Sequence, residues 1–115
     1  MALGRTTYDW RPDVHRRVLD VLARFPSVTA NTYINHPFPG WDDRSVDFWG
    51  PGGRGDAIDR ATGAKIQNYL LGLTEGPAIR HTIYLHRWWT NWAGWLKWNA
   101  DDHSGQLRHV HVTYL

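Results

Sequence analysis

Between residues 11 and 25 the stretch RPDVHRRVLDVLARF places Val14, Val18, Val21, Leu22 and Phe25 three or four positions apart, with charged residues between them. That period predicts an amphipathic helix with one apolar stripe. Pro12 suits the first turn, Asp13 faces the positive end of the helix dipole, and Pro26 ends the run. His15 falls off the stripe and is expected at the surface. The period then changes. TANTYINH (29–36) reads as extended, PFPGWDD as a Pro/Gly loop, RSVDFWG (44–50) as a short strand, and PGGRG as a turn. A second helix is expected over 56–71, capped by Asp56, with Ile58, Ile66, Tyr69, Leu70 and Leu73 as its buried stripe and Gly72 near its stop. AIRHTIYLH (78–86) alternates as a strand does. RWWTNWAGWLKWNADDHSG (87–105) reads as a long aromatic loop or broken helix, and LRHVHVTYL closes the pattern as a strand.

Helix, two strands, helix, two strands is the order of an α+β domain. The expectation is a small antiparallel sheet of about four strands with two helices, in one domain spanning 1–115. A chain of 115 residues can bury a core without staples. It has no cysteine, which excludes disulfides and thiolate metal sites. The formal charge is +2, and the basic residues form no run, so the dense stripe of a nucleic-acid footprint is missing. PGGRG is too short to cradle a phosphate. No apolar stretch has the length of a membrane span, and MALGRTTYDWRPD lacks the apolar core of a signal peptide.

The candidate chemistry lies in the last strand. Alternation puts His109, His111 and Thr113 on one side, while Val110, Val112 and Tyr114 face a core. Two adjacent imidazoles on a sheet face are either surface residues at an edge or, if buried, hydrogen-bonded or bound to a metal. Asp47, set among Val, Phe and Trp in SVDFW, also needs a partner: a metal, an arginine or a helix amino terminus. His36 ends the first extended stretch. A catalytic zinc takes three protein ligands and keeps one open position, and without cysteine the available ligand types are His and Asp.

A histidine, a glycine-containing turn, a small-x-Asp-apolar strand and a terminal His-x-His together resemble the LAS group of zinc peptidases. That group includes lysostaphin-type enzymes, D-Ala-D-Ala metallopeptidases and Hedgehog-like domains. The pattern is most similar to the D-Ala-D-Ala carboxypeptidase and L-Ala-D-Glu endopeptidase branch, as in phage endolysin and actinobacterial cell-wall peptidase domains. The likeness covers about residue 30 to the end. It implies a Hedgehog/DD-peptidase-like fold, with His36, Asp47 and His111 as zinc ligands and His109 as the imidazole that moves a proton or steadies the transition state. The family pattern His-x-x-Gly-x-Ala-x-Asp puts its aspartate seven positions after the histidine. Asp43 has that spacing but sits in the loop-like WDDR, whereas Asp47 sits in the matching strand; Asp47 is preferred, with PFPGWDDR as a lengthened loop.

The resemblance implies zinc-dependent hydrolysis of peptide bonds in peptidoglycan stem peptides or cross-links, in the cell wall, the periplasm or outside the cell. Delivery would be by phage or as a processed module. Activity should fall below roughly pH 6 as ligand histidines protonate. Trp41, His81 and His103 are candidate substrate-binding residues; His81 is equally a candidate core histidine, with Ile79, Ile83 and Leu85 on its side of the strand. Of the eight tryptophans, five lie in WWTNWAGWLKW. Trp88, Trp92 and Trp95 have helical spacing and would pack on the sheet, or else they stack on sugar rings. The alternative function is therefore a non-catalytic, Trp-rich wall-binding module, and a third is a zinc hydrolase with another amide or ester substrate.

Overall fold

A computed structural model of the chain describes residues 10–32, 43–73, 79–97 and 108–115. Helix α1 spans Pro12–Arg24, with Asp13 in its first turn, Arg24 in its last, and Val14, Val18, Val21 and Leu22 buried. It stops where Phe25 N–H turns back to the Val21 carbonyl, one residue ahead of Pro26. The expected helix and the observed one agree in position and in buried face.

The second helix, α2, spans Arg60–Gly72 and starts later than expected. Two aspartates compete to cap it, and Asp59 is the cap: its Oδ2 accepts from both the backbone N–H and the hydroxyl of Thr62, each at 3.1 Å. Asp56 instead folds the preceding turn, where its carboxylate accepts from Gly52 N–H at 2.6 Å and its carbonyl from Gly50 N–H at 2.8 Å. Ile58 is buried but precedes the helix, tied to the Arg108 carbonyl through its own N–H. Gly63 lets α2 approach the sheet, because a Cβ there would lie 2.4 Å from the ring of Tyr84.

Among the described residues six strands form one antiparallel sheet. They are β1 (Thr29–Asn31), β2 (Ser45–Trp49), β3 (Ile79–Tyr84), β4 (Arg87–Thr90), β5 (Gly94–Lys97) and β6 (Val110–Tyr114), in the order β1-β2-β6-β3-β4-β5. The α+β class holds, with six strands instead of four. The added pair comes from the stretch read as a loop or broken helix. Trp88, Trp92 and Trp95 fit a helical period, but aromatic and β-branched residues also suit a pleated surface, and here cross-strand partners exist. Arg87 pairs with Lys97, Trp88 with Leu96, Trp89 with Trp95 and Thr90 with Gly94. Gly94 closes the hairpin at φ +69°, a left-handed conformation open to glycine, and Thr90 Oγ1 accepts from Ala93 N–H at 3.0 Å.

One face of the sheet carries Ala30, Val46, Phe48, Val110, Val112 and Tyr114, which pack with the apolar stripes of the helices into the core. Helix α1 lies against β1, and α2 against β3 and β6. A register shift between Ile79 and His81 makes Arg80 a bulge. Ile79 therefore joins the core beside Tyr114, while His81 faces away from it, opposite Thr113. This corrects the expectation that Ile79 and His81 share a side. None of the described helices is long and apolar enough to cross a membrane.

Candidate metal centre

The site is built by two neighbouring strands whose alternation is in phase. Ser45, Asp47 and Trp49 of β2 share the face away from the helices, and on β6 so do His111 and Thr113, with His109 just ahead of the strand. Antiparallel pairing sets Ser45 opposite Thr113 and Asp47 opposite His111. The side chains of Asp47, His109 and His111 therefore converge. His111 Nδ1 lies 2.8 Å from Asp47 Oδ1, and His109 Nε2 lies 3.1 Å from the same oxygen. All three are buried, at 9 %, 3 % and 8 % exposure.

Burial alone would raise the Asp47 carboxyl. Hydrogen bonds from His109 and His111, and the charge those rings can carry, outweigh it and hold the group well below the usual carboxylate range. Asp47 is thus an anion in a place where an unpaired anion would be expensive. Its partners are held in turn. Trp49 stacks on the His109 ring at 4.3 Å between centroids, and His81 stacks on His111 at 5.2 Å. His111 Nε2 meets Thr113 Oγ1 at 2.9 Å, and Thr113 Oγ1 meets Ser45 Oγ at 3.0 Å. Because a hydroxyl can donate or accept, this short chain serves either tautomer of His111. With the proton on Nδ1, the ring donates to Asp47 and accepts from Thr113. With the proton on Nε2, it donates to Thr113 and frees Nδ1 as a lone-pair donor.

Asp47, His109 and His111 each offer one ligand atom, and these atoms lie within 4.8 Å of one another, so the group could hold a metal ion. Donors bonded at 2.0–2.1 Å around a tetrahedral zinc stand about 3.3 Å apart, so the observed O–N separations need to open by only a few tenths of an ångström. His109 Nδ1 is buried with no hydrogen-bond partner among the described residues. The ring's other nitrogen, Nε2, is the one that meets Asp47, so His109 keeps one nitrogen to spare beyond that contact. The residues present fit a small cation of the borderline type that favours imidazole and carboxylate.

Of the residues singled out from the sequence, Asp47, His109 and His111 are brought together, and His81 sits against His111. Asp43, the other candidate for the middle ligand, lies outside the group. Its carboxylate meets Arg44 Nε at 3.2 Å, and its carbonyl accepts from Arg11 N–H. His36, Trp41 and His103 lie outside the described residues. Ser45, Trp49 and the part played by Thr113 were not anticipated. Their signal was in the sequence all the same: two stretches, Ser-x-Asp-x-Trp and His-x-His-x-Thr, each repeating polar or aromatic residues at period two. Comparison with family models, with curated proteins and with solved structures finds no match. The likeness to zinc peptidases rests on the motif residues quoted above.

Proposed function

We propose that the chain is a zinc-dependent hydrolase of amide bonds, acting on the stem peptides or cross-links of peptidoglycan. The observation that carries this reading is the buried convergence of Asp47, His109 and His111 on one sheet face. Two of the three, Asp47 and His111, are also the ligands that the motif resemblance implies. In the same resemblance His36 supplies a further donor, which leaves His109 as the imidazole beside the ligands.

Zinc bound there supplies Lewis acidity, which activates water and polarises a carbonyl. The chain's residues do the rest. Thr113, itself held by Ser45, accepts a hydrogen bond from the outer N–H of His111, which orients the ligand nitrogen and raises its basicity. Trp49 holds the His109 ring in place by stacking. His109, with one nitrogen on Asp47 and the other unpartnered among the described residues, is placed to carry a proton toward a leaving amine.

The test is metal analysis of the purified chain together with mass analysis of digested peptidoglycan, with and without chelator. About one zinc per chain and chelator-sensitive release of muropeptide fragments are expected. Wild-type protein that takes up no zinc, or fragments released equally in chelator, would overturn the proposal.

A further inference from the structure

Both imidazoles that converge on Asp47 have a flat ring against one side, and the two rings come from different strands. Trp49 of β2 stacks on His109, and His81 of β3 stacks on His111 with the planes tilted by only 20°. His81 stands directly opposite Thr113, so its ring reaches His111 along the diagonal between β3 and β6. Both histidines are buried. His111 is thus held by Asp47 at Nδ1, by Thr113 at Nε2 and by His81 across its face.

That contact depends on an irregularity in β3. In an unbroken strand residues two apart share a face, so Ile79, which packs in the core beside Tyr114, would carry His81 into the core with it. The extra residue at Arg80 takes up the difference: Ile79 stays against Tyr114 while His81 turns to the site face. A bulge interrupts the ladder of backbone hydrogen bonds, and bulges beside functional sites re-aim side chains. The side chain re-aimed here is the one that lies on His111.

The outer torsion of a histidine side chain has broad wells, so the backbone of β6 alone does not settle which edge of the His111 ring faces Asp47. A half-turn about that torsion would put carbon where each nitrogen stands and lose both hydrogen bonds. Such a turn passes through an orientation perpendicular to the present one, which a parallel ring alongside resists. We propose that His81 is a positioning residue for His111: its flat ring confines the imidazole to the plane in which Nδ1 meets Asp47 and Nε2 meets Thr113. The ring is then ordered when the chain folds, and metal binding does not have to supply that ordering. The consequence for metal rests on the reading of Asp47 and His111 as zinc ligands; the confinement itself needs no metal. Because the role belongs to the ring's shape, a phenyl ring fills it and a branched aliphatic side chain does not.

The experiment compares the full chain with His81→Phe, His81→Leu and His81→Ala by two measurements: zinc affinity from competition with a chromophoric chelator, and the NMR signals of the His111 ring in metal-free protein. His81→Ala and His81→Leu weaken zinc binding roughly tenfold and broaden the His111 ring signals, whereas His81→Phe stays within about threefold and keeps them sharp. Ile79→Ala is the control for stability. It opens a cavity on the other face of the same strand and lowers the unfolding midpoint, yet leaves zinc affinity and the His111 signals unchanged at temperatures where it is folded. Sharp His111 signals in His81→Ala overturn the proposal. So does His81→Phe behaving like His81→Ala, which would give the role to a nitrogen of His81, or His81→Leu behaving like His81→Phe, which would reduce it to volume. A wild-type chain that takes up no zinc sinks the hydrolase reading alone, because the ring signals still decide this one. Normal zinc uptake with sharp signals in every His81 variant sinks this one alone.

Discussion

Two faces of the same pair of strands are buried for opposite reasons. Toward the helices, β2 and β6 present Val46, Phe48, Val110, Val112 and Tyr114, which gain stability by leaving water in a close-packed layer. On the other side the same strands present Ser45, Asp47, His111 and Thr113, with Trp49 and His109 at one end, and these are buried too. There burial is tolerable because the polar groups partner one another, Asp47 with both imidazoles, His111 with Thr113 and Thr113 with Ser45. The apolar face can absorb exchanges of similar volume. The polar face cannot lose one member without stranding another.

That contrast can be broken by substitution. Asp47→Ala should have the largest effect, because it removes the acceptor shared by two buried imidazoles. A loss of about 3–5 kcal/mol in urea unfolding of metal-free protein is expected, together with loss of zinc uptake. Retention of both would show that the two histidines do not depend on Asp47. Phe48→Ala, next to it but facing the helices, should lose a similar roughly 3–5 kcal/mol through cavity formation, yet keep its zinc stoichiometry at concentrations where it stays folded. Thr113→Val keeps shape and removes the hydroxyl from His111. Zinc affinity should fall about 10–100-fold by competition with a chromophoric chelator, and Thr113→Ser should restore it.

The smallest effect sharpens the comparison through pH. The Asp47 carboxyl is held below its usual range in the folded chain, so in acid the unfolded chain binds more protons. The stabilisation is complete above the unfolded value near pH 4 and drains away as pH falls through the lower folded value. Urea midpoints of the metal-free chain should therefore drop between about pH 5 and pH 2, and Asp47→Asn should flatten that drop. Parallel profiles for the two proteins would contradict the assignment.

How much of this was legible in the sequence depends on how many physical solutions each stretch allowed. Helix α1 had one: a 3.6-residue stripe bounded by prolines. The start of α2 had two, since Asp56 and Asp59 can each cap, and the choice turned on the contact with Thr62. The tryptophans of β4 and β5 suited both periods, and only the pairing of Arg87–Thr90 with Gly94–Lys97 decides between them. The shared face of His109 and His111 followed from alternation. That Asp47 lies opposite His111 did not, because it depends on which strand neighbours β2, and the sheet order places β6 there. The bulge at Arg80 has no sequence mark at all, although it decides which way His81 points.

The position of β6 has a consequence for how the molecule is made. This strand is the last of the six along the polypeptide, yet it lies in the middle of the sheet between β2 and β3. Until residues 110–114 have been synthesised, the described strands form at most two separate half-sheets, β1-β2 and β3-β4-β5, and the long-range pairings of β6 that join them are slow to close. Joining the halves and bringing Asp47 to His111 are then a single event, so no shorter product of translation carries the donor set.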